Sequence, residues 1–206
     1  LAYLVAIYLY DEMEVLDFAG PFEVFTTASR LHRRDHPVAS PLFEVVTVGL
    51  EAGPVTARGG LAVIPSRTTA ESLPVNVLVI PGGIVTAELD RPATGAWIRR
   101  VAERCEIVAS VCTGAFLLAR AGVLCAAPAT THWEDLADLQ AMFPDLDVRS
   151  GVRWIDNGKV ITSAGISAGI DMSLHLVSRL AGIDLARRTA RQMDFDWMRP
   201  DPPPDL

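Results

Sequence analysis

Ile107-Val108-Ala109-Ser110-Val111-Cys112-Thr113-Gly114-Ala115-Phe116-Leu117-Leu118-Ala119-Arg120-Ala121-Gly122-Val123 is the stretch whose reading decides the fold. A β-branched apolar run breaks at Ser110 to Gly114 and continues as the helix-compatible segment Ala115 to Val123. A strand that turns sharply into a helix lifts the residue at the turn out of the sheet. The residues two before and two after it must then be small, because the tight turn brings their backbones together. Ser110 and Gly114 meet that demand, so the pattern predicts a nucleophile elbow with Cys112 at its tip. Its place at a helix N-terminus, where unpaired N–H groups and the dipole favour an anion, predicts an eased thiolate. The competing reading is a small buried apolar residue, a common fate of free cysteine.

Outward from the elbow, apolar runs alternate with helical patterns. Ala2 to Tyr10 reads as a central strand buried on both faces, Phe43 to Leu50 as a second strand, and Val75 to Ile80 as another, ending at Pro81-Gly82-Gly83. Helices are predicted over Pro21 to Arg33 (proline in the first turn), Ala93 to Glu103, Glu134 to Met142, Ser167 to Leu180 and Asp184 to Gln192. Hairpins are predicted at Gly53 to Pro65, around Gly59-Gly60 and appended to the sheet, and at Val152 to Ser163, around Asp156-Asn157-Gly158; a proline-rich tail follows from Pro200. Such alternation implies an α/β fold with a mostly parallel sheet covered on both faces, here as one domain over residues 1–206. Ligands of these sheets bind outside the carboxyl ends of the strands. Three loops fall there: Asp11 to Gly20, Pro81 to Gly83, and the elbow.

Composition narrows the function. The chain is half hydrophobic with 21% charged residues, which excludes disorder, and its net charge of -7 supplies no basic stripe for nucleic acid or an anionic membrane. No apolar run is long enough to span a bilayer, and the apolar N-terminus lacks a basic leader. Three cysteines do not make a disulfide framework, which points to a reducing cytoplasm. Cys105 and Cys125 lack metal-ligand spacing to a histidine, and no phosphate loop or dinucleotide fingerprint is present, so neither metal nor cofactor is expected.

A cysteine nucleophile needs a proton partner and donors for developing negative charge. The Thr113 N–H, with Gly82 or Gly83 close by, is a candidate oxyanion site; a plain turn is the other reading of the two glycines. Asp11, Glu12, Glu14 and Asp17 are the acids of the first loop. Asp17 stands out between Leu16 and Phe18, where partial desolvation would raise its pKa and let it hold a proton beside sulfur, although capping the helix is the commoner role of an acid there. Glu14 is the next candidate. His132 suits either a Cys-His pair or a structural histidine bonded to backbone.

Leu16-Asp17-Phe18-Ala19-Gly20-Pro21, Pro81-Gly82-Gly83, Ser110 to Gly114, Ala129-Thr130-Thr131-His132-Trp133 and Ser163 to Asp171 together resemble the ThiJ/PfpI superfamily. The resemblance implies a flavodoxin-like, class I glutamine-amidotransferase-like three-layer sandwich. The segments around Asp17 and Cys112-Thr113, and the Asp-Pro-Pro-Pro tail from Asp201, look most like the isocyanide hydratase branch. That branch implies Cys112 as nucleophile and Asp17 as proton carrier, with Thr113 beside them, acting on a small molecule without a cofactor, in a homodimer. Protease-like members carry histidine after the nucleophile, where Thr113 stands, so peptidase activity is not expected. Two other readings follow from the same resemblance. One is a ligand-sensing domain like the amino-terminal domains of AraC-type regulators; the other is a redox or carbonyl-stress protein.

Overall fold

The structure is a computed structural model and describes residues 2–197. Its first strand, β1 (Tyr3–Leu9), is buried over nearly its whole length, as an apolar run without alternation requires. β2 (Phe43–Gly49) pairs with it in parallel, Tyr3 opposite Phe43 through Leu9 opposite Gly49. β3 (Val55–Thr56) and β4 (Ala62–Val63) form the first predicted hairpin, which is a separate two-stranded sheet and not an extension of the main one. β5 (Arg67–Thr68), β6 (Val77–Ile80), β7 (Ile107–Val111), β8 (Pro128–Ala129), β9 (Asp147–Val148), β10 (Trp154–Asp156) and β11 (Val160–Ser163) follow. The main sheet has seven strands in the order β10-β11-β7-β6-β1-β2-β5. All its pairings are parallel except β10 with β11, the second predicted hairpin.

The helices are α1 (Val15–Asp35), α2 (Thr86–Leu89), α3 (Pro92–Arg104), α4 (Gly114–Arg120), α5 (Leu136–Met142), α6 (Ala168–Ala181) and α7 (Ile183–Gln192). α1, α6 and α7 pack together on one side of the sheet; α2, α3 and α4 cluster on the other. This is a flavodoxin-like three-layer sandwich. Alternate β1 residues serve the two sides: Tyr3 stacks on Phe43, which meets Phe25 of α1, while Tyr8 meets Trp97 of α3. Burying each such side chain contributes about 1.5–3 kcal/mol. Among the described residues no helix is long and apolar enough to cross a membrane.

Two boundaries differ from expectation in ways that matter for the site. α1 begins at Val15, not near Pro21, because Leu16 to Gly20 already continues the helix. Pro21 therefore lies inside α1 and has no N–H to offer the Asp17 carbonyl one turn back. The elbow helix is shorter than predicted: it stops at Arg120, and Gly122, at φ 71°, carries the chain away. The tail from Pro200, with Asp201, lies outside the described residues.

Candidate active site

Strand order reverses between β1 and β6, so the loops after β1, β6 and β7 face one another across the crevice where ligands of such sheets bind. The backbone binds these loops together. Glu14 donates its N–H to the Gly82 carbonyl at 2.8 Å, Ile84 donates to Glu12 at 3.0 Å, and Met13 bridges to Gly83. The Tyr10 hydroxyl donates to the Pro81 carbonyl at 3.0 Å. The hairpin of β3 and β4 folds over this seam, where Arg58 donates its N–H to Met13 at 2.9 Å and its guanidinium pairs with Glu14 at 3.3 Å.

Cys112 takes φ 55°, a left-handed conformation that costs a non-glycine residue strain and is the mark of an elbow. A side chain at Gly114 would strike the Ile80 carbonyl, so the small residue after the tip is a packing requirement. At Gly82 a Cβ would sit 2.6 Å from the Thr113 nitrogen and 2.8 Å from the Cys112 Cβ. Glycine there lets the loop after β6 close onto the elbow.

Asp17 lies in the first turn of α1, wholly buried, yet it caps no helix N–H. Its Oδ2 accepts the Gly82 N–H at 3.0 Å, while its Oδ1 is buried without a hydrogen-bond partner. Burial is the main reason its pKa is pushed up to about 7; the Gly82 bond opposes this, the Glu14 charge adds to it, and the Cys112 thiol pulls it partly back. Asp17 is thus a carboxyl that gains or loses a proton near neutrality, with the bare Oδ1 free to carry it.

The expectation of an eased thiolate fails. Cys112 is only 7% exposed, and burial, followed by the Asp17 charge, pushes its thiol up to about 12; the N–H and hydroxyl of Thr113 offset only part of this. Desolvation by the surrounding core outweighs the start of a helix of seven residues. The resting pair is a protonated thiol beside an acid that titrates near 7, and its protons belong to the pair.

Gly82 and Gly83 were expected as oxyanion donors, but both N–H groups have partners inside the protein. Gly82 donates to Asp17, and Gly83 donates to the Thr113 hydroxyl at 2.8 Å, which donates back to the Gly83 carbonyl at 2.8 Å. The glycines orient Asp17 and Thr113, and the Thr113 N–H is the donor that faces sulfur.

A fourth strand end completes the site. Beyond β11, a Cβ on Gly165 would sit 2.7 Å from the Cys112 Sγ and 3.0 Å from the His132 Cδ2, so sulfur and imidazole edge lie against one glycine. His132 turns its Nδ1 toward Asp135 at 3.3 Å, and the Glu134 N–H approaches the same nitrogen at 3.4 Å. Thr131 ties this segment to the elbow by donating its hydroxyl to the Cys112 carbonyl at 2.8 Å. A cavity of about 750 Å³ opens over the thiol, walled by Ile84, Val85, Leu89, Phe116 and Met142 and carrying Glu14, Thr113 and His132 at its edge. Sequence reasoning missed Gly165 and Asp135. The strand-end rule that selected the other three loops selects Gly165 as well; nothing local marks Asp135. Among the described residues no group of three or more histidine, cysteine or acidic side chains is arranged to hold a metal ion.

A cysteine at a strand–helix elbow, over a mostly parallel sheet with helices on both faces, defines an α/β protein of flavodoxin-like fold. Within that class the chain belongs to the DJ-1/PfpI family, whose profile matches residues 4–179. It is 33% identical over 209 residues to isonitrile hydratase of Pseudomonas putida, covering 100% of this chain and 82% of that enzyme. It is also 28% identical over 191 residues to the HTH-type transcriptional regulator GbdR of Pseudomonas aeruginosa (strain UCBPP-PA14), covering 93% of this chain but only 50% of the regulator. Among solved structures, a THiJ/PfpI family protein from Pseudomonas syringae superposes with a TM-score of 0.82 at 27% identity, over 98% of this chain and 77% of that one.

Proposed function

We propose that the protein is a cysteine-dependent hydratase that converts isocyanides to N-substituted formamides. The observation that carries this reading is the pair at the elbow: Cys112 at the tip, 7% exposed, and beside it the wholly buried Asp17, held by the Gly82 N–H through Oδ2 and with an Oδ1 that has no partner. An isocyanide carbon must gain both a nucleophile and a proton, and this pair supplies the two from adjacent side chains. Asp17 takes the thiol proton as sulfur attacks, then delivers it to the same carbon, giving a thioimidate bound to Cys112 with no net gain or loss of protons. Water adds to the imidate carbon, the carbon–sulfur bond breaks, the formamide leaves and the thiol is restored. Thr113 steadies charge on sulfur through its N–H, and Gly82 holds Asp17 in register.

The likeness to isonitrile hydratase across the whole chain supports this reading. A second reading is kept alive by the regulator relative, which this chain matches over half that protein's length: a sensing domain that binds a small molecule in the same cavity without turnover, inside a nucleic-acid-binding protein. A turnover screen with isocyanides, α-ketoaldehydes and small amides, comparing wild type with Cys112→Ala, separates the two. Formamide production that disappears in Cys112→Ala supports the hydratase; ligand-induced thermal stabilisation without any product supports the sensor. Light scattering should report a homodimer, and a monomer at micromolar concentration removes that part of the proposal.

A further inference from the structure

The cavity over Cys112 has a polarity that the hydratase chemistry does not need. Its lining includes Glu14, Glu134, Asp135 and Asp138 against one guanidinium, Arg58, which is paired with Glu14, and one imidazole, His132, whose Nδ1 lies 3.3 Å from Asp135 and 3.8 Å from Glu134, so four carboxylates face two basic side chains. Three of the four acids come from the turn Trp133–Asp135 and from α5, which follows it directly. Asp135 immediately precedes α5, Asp138 follows three residues later and Met142 four after that, a spacing that puts all three on one face of the helix. Acids near the start of α5 also suit its dipole. The dipole does not require them to line a cavity, nor does it explain an opposite wall made of Ile84, Val85, Leu89 and Phe116. The cavity also opens onto the Cys112 thiol, 7% exposed and held in a left-handed backbone conformation at the floor.

Resting on the reading of Cys112 as the reacting group, we infer that this site takes small molecules with an apolar body that end in a cation, such as an ammonium group, and rejects anionic ones. The apolar wall receives the body and Asp138 the charge, while Glu134 and Asp135, which share His132, add to the negative field. Low-dielectric walls focus such a field, so a positive reactant is concentrated at the mouth and a negative one excluded. The selection is made before any bond to sulfur forms, and it is therefore measurable without turnover.

The test uses protein carrying Cys125→Ser, so that exposed Cys125 does not compete. Cys112 is modified with trimethylammonioethyl methanethiosulfonate (a cation) and with sulfonatoethyl methanethiosulfonate (an anion). Each reagent transfers its thioalkyl group to sulfur and releases methanesulfinate; each rate is divided by the rate with free mercaptoethanol. The normalised cation-to-anion ratio should exceed roughly tenfold at low salt and shrink as salt is raised. In Asp138→Asn, and independently in Glu134→Gln, it should fall by roughly threefold. A ratio near one, or one that both substitutions leave unchanged, overturns the inference. The same preparations are then given alkyl isocyanides ending in a dimethylammonium, a methyl or a carboxylate group. Turnover in that order supports the inference, and faster turnover of the carboxylate overturns it. If labelling discriminates but no isocyanide is consumed, the charge selection stands and the hydratase reading falls.

Discussion

Replacing Asp17 with asparagine should make the protein more stable at alkaline pH and nearly inactive. The side chain keeps its shape, and the asparagine Oδ1 can accept the Gly82 N–H that Asp17 Oδ2 now accepts at 3.0 Å. What is lost is the ionisable oxygen that has no partner. In the wild type, burial raises the carboxyl from 3.8 to about 7, so the native state binds this proton more tightly than the unfolded chain. Its contribution to stability is fully present below about 3.8 and is lost as pH rises to about 7; the difference is worth about 4 kcal/mol as an upper figure. Asparagine carries no charge at any pH. Thermal and denaturant melting should therefore show the two proteins nearly matched at pH 4 and the variant ahead by roughly 2–4 kcal/mol at pH 8. Over the same range its isocyanide turnover should be lower by roughly two to four powers of ten, the scale of a positioned acid–base group. A variant with full turnover would refute the assignment of the proton to Asp17 and move it to Glu14. A stability difference that does not change with pH would refute the elevated carboxyl itself.

In the wild type, kcat/KM for hydration should rise through about pH 7, as Asp17 loses the proton that blocks it from taking the thiol's, and then stay level, because Cys112 sits far higher at about 12. A pH–rate profile falling through neutrality counts against the mechanism. Iodoacetamide at pH 8, mapped by mass spectrometry, should label exposed Cys125 before buried Cys112 and Cys105, and Asp17→Asn should speed labelling at Cys112 because a charge that raises the thiol's pKa is gone; an unchanged Cys112 rate refutes the coupling. Gly165→Ala places a methyl group 2.7 Å from the Cys112 sulfur, so it should cost about 1–3 kcal/mol of stability by overpacking and most of the turnover. Unaltered kinetics in that variant would mean that the loop after β11 is not part of the site.

How much of this was legible depended on whether a residue's environment is made by its neighbours in sequence. The elbow was legible because its pattern is local: small residues flank Cys112 where strand breaks into helix, and the positive φ at Cys112 follows from that turn, although what a side chain at Gly114 would strike, the Ile80 carbonyl, is brought there by β6. The convergence of the loops after β1, β6 and β7 was legible because chain alternation fixes a parallel sheet, and a parallel sheet fixes which strand ends gather. Asp17 stood out by its apolar neighbours, and the side chain is wholly buried. Its actual bond runs to Gly82, 65 residues away, and no local pattern announces it. The sign of the Cys112 shift was misjudged for the same reason. A helix N-terminus is visible in sequence and argues for a thiolate, whereas the core that desolvates the sulfur and the Asp17 carboxylate that repels its charge are brought there by elements distant in sequence. That misjudgement changes the chemistry as well as a pKa. A free thiolate could attack alone; a thiol held near 12 must hand its proton to a base at the moment of attack. The buried carboxyl beside it, which titrates near 7 and has one oxygen unpartnered, is the group able to receive that proton and return it. The burial that weakens Cys112 as a resting nucleophile is therefore what makes Asp17 necessary to the proposed reaction.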